Sequence, residues 1–224
     1  MSRIGVFGGS FNPIHLGHLL LADELYELLA LDRVLFVPAG QPPHKPAWDL
    51  VGAERRYTMT VLAVRGNPHF AVSDIELKRP GPSYTVDTLT ALHRAAAGET
   101  PTFFLLIGSE MFLDLLSWRE PQRLASLARI VVVPRTGSAF DPDGVQAQKV
   151  LHEIGQDRWV RVSADAPLSV PEPPTGVFLA AATSLPISAS KLRRRARLGR
   201  SLRYRVPDAV ADYIATHRLY REEG

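Results

Sequence analysis

Five short runs in this chain are apolar at almost every position: Arg3–Gly8 (RIGVFG), Arg33–Pro38 (RVLFVP), Thr102–Ile107 (TFFLLI), Ala128–Val133 (ARIVVV) and Val177–Ala181 (VFLAA). A strand apolar on both sides must be covered on both sides, which half-solvated antiparallel sheets do not do. The intervening segments supply the cover. Leu16–Leu31 carries Leu19, Leu20, Ala22, Leu25, Leu28 and Leu29 at helical spacing, and Glu54–Arg65 carries Tyr57, Val61, Leu62 and Val64. Thr85–Ala97 is helical in the same way, Phe70–Leu77 (FAVSDIEL) alternates like a strand, and Trp159–Val162 adds a further short run. Strands alternating with helices predict an α/β fold, a doubly wound, Rossmann-like parallel sheet with helices on both faces. Beyond Ile187 the strand pattern stops, and two helices are expected, the second opening at Pro207-Asp208. The expected division is an α/β domain over 1–186 and a helical extension over 187–224 packed on the same domain.

Composition narrows the class. The chain has 224 residues, 46% hydrophobic and 22% charged, as in ordinary globular proteins. It has no cysteine, which excludes disulfides, thiolate catalysis and cysteine zinc sites. The net charge of +3 does not by itself call for a nucleic-acid partner. The N-terminus has no signal-peptide pattern and no apolar run reaches membrane-spanning length, so a cytoplasmic protein with no membrane partner is expected.

The first strand runs into GGSFNPIHLGH, residues 8–18. In doubly wound sheets ligands sit beyond the carboxyl ends of the strands, where Gly8 and Gly9 lie. Glycines let backbone approach a phosphate, and a helix start offers unpaired N–H groups to an anion. The segment is neither a Walker loop nor G-x-G-x-x-G. His15 and His18, three apart, project from one helical face. Two chemistries are open to such a pair: hydrogen bonding to phosphate, or metal ligation, for which the nearest carboxylates, Asp23 and Glu24, stand more than a turn away.

The order of strand, glycines, Phe-Asn-Pro and two histidines resembles the nucleotidylyltransferase superfamily, with its H-x-G-H element after the first strand. Four further segments narrow the resemblance: PPHK (42–45), SYTVDT (83–88), Ile107-Gly108-Ser109-Glu110 with Trp118 downstream, and ISASKLR (187–193). Together they are similar to the bacterial nicotinate mononucleotide adenylyltransferase family. Glu110 replaces the family's usual aspartate, and Ala189-Ser190 replaces Ser-Thr in the late motif.

The resemblance implies ATP and nicotinate mononucleotide as partners, with Mg²⁺ travelling on the ATP phosphates. It implies phosphate contacts from Gly8, Gly9, Ser10, Lys45, Ser188 and Ser190, nucleotide binding by Phe11, and catalytic contacts from His15, His18 and Arg193. Tyr84 and Thr85 would hold the nicotinate carboxylate, with Trp118 against the pyridine ring. Gly108 and Glu110 would lie near the ATP ribose. Arg135 and Arg56 are further candidates. Read from the residues alone, Trp118 could equally be a core or lid residue, and Lys45 a solvated one. Loops 39–51 and 163–176 are candidates to close over substrate.

Two alternatives stand beside this reading. One is a nucleotidylyltransferase with a nicotinamide mononucleotide or phosphopantetheine acceptor. The other is a nucleic-acid-binding protein, on the basic run KLRRRARLGRSLRYR (191–205), which could also serve a homo-oligomer contact. No recognised nucleic-acid motif accompanies the run, so no nucleic-acid partner is expected.

Overall fold

The computed structural model describes residues 2–43, 50–96, 98–135, 137, 139–168 and 176–221. Its centre is a seven-stranded parallel sheet: β1 (Arg3–Gly9), β2 (Arg33–Pro38), β3 (Phe70–Val72), β4 (Thr102–Gly108), β5 (Arg129–Val133), β6 (Trp159–Val162) and β7 (Val177–Ala180), in the order β3-β2-β1-β4-β5-β7-β6. The helices described are α1 (Leu16–Leu28), α2 (Ala53–Val64), α3 (Ile75–Lys78), α4 (Thr85–Ala95), α5 (Ser109–Leu113), α6 (Pro121–Leu127), α7 (Val145–Glu153), α8 (Ala189–Arg197) and α9 (Asp208–Thr216). None of them is long and apolar enough to cross a membrane.

The apolar runs divide residue by residue between two cores. In β4, Phe104 and Leu106 face one side, while Phe103, Leu105 and Ile107 face the other; in β5, Val131 and Val133 oppose Ile130 and Val132. The first core is closed by α1, α2, α8 and α9, through Leu25, Met59, Leu192, Val210 and Ile214 among others. The second is closed by α4, α6 and α7, through Leu89, Leu124 and Val150. Burial on both faces is why these strands carry almost no polar residues. The helical C-terminal segment shares the first core with β1 and α1.

The expected strand Phe70–Leu77 is corrected. Only Phe70–Val72 pairs, with β2 alone, and Ile75–Lys78 is a helical turn. Ser73 donates its N–H to Phe36 at the end of the ladder, and its hydroxyl then accepts the Ile75 N–H at 3.3 Å. That exchange redirects the chain into a turn, closed by an Asp74–Lys78 ion pair. The turn carries Glu76 inward. Helix α1 also stops short of Leu31: Ala30 is left-handed (φ 46°), and Leu31 donates back to the Tyr26 carbonyl, a Schellman ending.

All seven strands run the same way, so their carboxyl ends share one edge. Strand order reverses between β1 and β4, the place where doubly wound sheets open a crevice.

Candidate nucleotide site

The loop from β1 to α1 lies at that crevice. A Cβ on Gly8 would meet nothing within 4 Å, whereas one on Gly9 would come within 3.1 Å of the Phe11 ring. Phe11 is left-handed (φ 44°) and 3% exposed. Its ring packs into the core against Phe7, Phe36 and His18, so its side chain belongs to the floor of the site.

His15 and His18 stack, ring centroids 3.6 Å apart and planes 17° from parallel. The His15 N–H donates to His18 Nδ1 at 3.2 Å. A neutral imidazole accepting at Nδ1 carries its proton on Nε2, so His18 is set as an Nε2 donor. Gly17 leaves room beside the His15 ring. A Cβ there would lie 3.2 Å from His15 Nδ1 and 3.6 Å from the Leu185 Cβ.

His15 is buried, and among the described residues its Nδ1 has no hydrogen-bond partner. Burial, helped by the nearby Arg135 charge, lowers its pKa from 6.5 to about 4. The unfolded chain therefore binds the extra proton between those values. Stability from this residue is complete above pH 6.5 and falls as pH drops toward 4. The ligand-free protein should lose up to about 3 kcal/mol from this residue between pH 7 and 4. Urea unfolding at several pH values measures it. The dependence should flatten in a His15→Gln variant, and an unaltered slope would assign the titration elsewhere.

Arg193 reaches this loop from α8, donating from Nη1 to the Asn12 carbonyl at 3.1 Å. Ser188, the residue before α8, and Ser190 join hydroxyls at 2.7 Å. Past β4, Glu110 in α5 pairs with Arg135 at 3.1 Å, both side chains well exposed. Such a pair adds little stability, but it brings together two residues that the sequence offered separately.

The SYTVDT segment forms the far side. Ser83 and Gln41 exchange hydrogen bonds, tying the loop after β2 to the start of α4. Tyr84 precedes α4, and the N–H groups of Thr85 and Val86 meet no acceptor among the described residues. Arg79 donates to Thr88, which donates to the buried Glu76 at 2.6 Å. Burial raises the Glu76 pKa. Trp118 is half-buried against the second core. Its neighbour Arg119 lies over the Tyr84 ring at 5.0 Å and pairs with Asp87 at 3.4 Å. Lys45 lies outside the described residues.

Arg56, named above as a further candidate, and Asn12, of the Phe-Asn-Pro element, tie the arrangement together. Arg56, 1% exposed, donates to the Ser10, Gly40 and Val51 carbonyls at 2.8, 3.0 and 3.0 Å. Asn12, 2% exposed, accepts from the Tyr220 hydroxyl at 2.9 Å and from the Val51 N–H at 3.4 Å. The basic run is partly consumed by the fold. Arg193 serves the loop, Arg195 binds the Ser201 carbonyl, and the Arg205 carbonyl accepts the Leu16 N–H. Among the described residues, no group of three His, Asp or Glu side chains gathers around a cation position.

Comparison with known proteins gives the family. The cytidylyltransferase-like family model matches residues 6–195. A protein of Thermomicrobium roseum named "Probable nicotinate-nucleotide adenylyltransferase" is 43% identical over 221 residues, covering 99% of this chain and 92% of that protein. One of the same name from Thermus thermophilus is 44% identical over 219 residues, covering 98% and 100%. The solved Plasmodium falciparum nicotinic acid mononucleotide adenylyltransferase complexed with NaAD superposes with a TM-score of 0.71, covering 98% of each chain at 18% identity, a likeness of fold. Matched along its length by that family model and by these relatives, the chain belongs to the cytidylyltransferase-like family, among its nicotinate-nucleotide adenylyltransferases.

Proposed function

We propose that the chain transfers the AMP moiety of ATP to nicotinate mononucleotide, giving nicotinate adenine dinucleotide and pyrophosphate. One observation supports it above the rest: Arg193, 181 positions away in the chain, meets Asn12 in the loop that carries the stacked histidines. The two ends of the family resemblance thereby form one place.

The 5′-phosphate of the mononucleotide attacks the α-phosphorus of ATP. A new P–O bond forms, the α–β bridging P–O bond breaks, and its electron pair leaves with pyrophosphate. The attacking phosphate is already an anion, so no base is needed, and rate comes from positioning and charge stabilisation. In this reading His18 donates from Nε2 to a phosphate oxygen that gains charge, with His15 stacked against it. Gly8, Gly9 and Ser10 offer backbone to phosphate. Ser188, Ser190, Arg193 and Lys45 hold the polyphosphate, with guanidinium able to bind two oxygens. Glu110, paired with Arg135, faces the ribose beyond Gly108. Mg²⁺ would arrive as part of the ATP substrate and would supply neutralisation of phosphate charge. The N–H groups of Thr85 and Val86, which meet no acceptor among the described residues, suit the nicotinate carboxylate, with Trp118 bordering the ring.

The test is pyrophosphate release from ATP with nicotinate mononucleotide, nicotinamide mononucleotide and phosphopantetheine side by side. Nicotinate mononucleotide should be preferred over the amide at least about tenfold in kcat/KM, because an amide NH₂ leaves the N–H donors unpaired. Equal values for acid and amide would remove the carboxylate pocket, and turnover of phosphopantetheine alone would reassign the acceptor.

A further inference from the structure

We infer that Tyr220 is a positioning residue for the reaction, holding the histidine loop in register through Asn12. The inference rests on the proposed role of that loop in binding polyphosphate.

Asn12 stands three residues before His15 and is a junction of four segments. Its carboxamide oxygen accepts from Tyr220 and, at the longer 3.4 Å, from the Val51 N–H, while its carbonyl accepts from Arg193. Val51 and Ser10, on either side of that junction, are held in turn by Arg56. Of the bonds that described residues give to the carboxamide oxygen, the shorter comes from Tyr220, 208 positions away. Asn12 is 2% exposed, so water does not readily replace a lost donor.

The backbone is bent to deliver this hydroxyl. Helix α9 ends with Arg218 left-handed (φ 50°), its N–H on the Ala215 carbonyl and the Leu219 N–H on the Ile214 carbonyl. Glycine normally occupies such a position. Tyr220 is left-handed as well (φ 65°). Two non-glycine residues in this region within three positions are costly, and such conformations persist only where the surroundings fix them. Here the fixing contacts are Leu219, buried in the first core, and the Tyr220 hydroxyl. Burial raises the Tyr220 pKa far above neutral, so the hydroxyl keeps its proton and remains a donor. Upstream, the Arg205 carbonyl fixes the Leu16 N–H at the start of α1. The C-terminal segment thus holds the loop at both ends, bracketing His15.

Tyr220→Phe removes only the hydroxyl and keeps the ring in place. Its kcat should fall about tenfold, the worth of one well-made hydrogen bond, with KM for ATP and nicotinate mononucleotide within about twofold. Loss of positioning should act through the histidines, so the same change in a His18→Ala background should cost less than about threefold. A merely structural tyrosine would lower the melting temperature but leave kcat of the folded enzyme and this non-additivity unmoved. Equal fold-losses in both backgrounds, or wild-type kcat in Tyr220→Phe, overturn the inference alone. Wild-type turnover in His18→Ala by itself would instead overturn the polyphosphate role of the loop, and the inference with it.

Discussion

His18→Ala is expected to turn over about 10²–10³-fold more slowly than the wild-type enzyme, with KM for ATP changed far less. The asymmetry follows from how the ring is held. The His15 N–H occupies Nδ1, and the Phe7 and Phe11 rings meet the imidazole edge-on at 6.0 and 5.3 Å. A donor fixed in this way needs no reorganisation when charge develops on phosphate, so its worth appears in the transition state. Ground-state ATP keeps its contacts to Arg193, the serines and the loop backbone in the proposed site. Steady-state pyrophosphate release gives kcat and KM together. A variant that loses KM but not kcat would make His18 a ground-state binding residue only.

The second large effect is on stability. Arg56→Met should lower unfolding free energy by about 3–5 kcal/mol, the range seen when one partner of a buried charged arrangement is removed. The melting temperature should fall by roughly 6–20 °C for a chain of this size. Methionine fills much of the volume but leaves three carbonyls, of Ser10, Gly40 and Val51, without their donor. Burial already pulls the Arg56 pKa down, and the three carbonyls surround the guanidinium with acceptors. Arg56→Lys should rescue little, because an ammonium cannot span three carbonyls with a planar fork. Thermal melts and urea unfolding of all three proteins provide the check. A loss below about 1 kcal/mol for Arg56→Met would mean that water replaces the arginine at these carbonyls.

The sheet and the position of the histidine loop at its carboxyl edge were legible because each depends on local pattern. TFFLLI cannot be half-solvated, and GGSFNPIHLGH joins a strand to a helix whatever the rest of the chain does. The helix ends show where legibility stopped. Gly199 (φ 64°), just past α8, is the residue such a turn favours. Arg218 and Ala30 adopt the same conformation with no glycine to announce it, because buried Leu219 and Leu31 hold them there. FAVSDIEL alternates, but Glu76 in it is inward-facing through Thr88, a partner twelve residues on, and so the alternation did not mean a strand.

From its residues alone the chain was committed to a doubly wound sheet and to a histidine pair at its carboxyl edge, since hydrophobic period and turn chemistry act over a few positions. Only the tertiary structure decided that Arg56 is a buried cross-tie, that Arg193 and Tyr220 converge on Asn12, and that His15 is held neutral. Those are contacts between segments tens to hundreds of residues apart, and their strength comes from burial, a property no single stretch of sequence possesses.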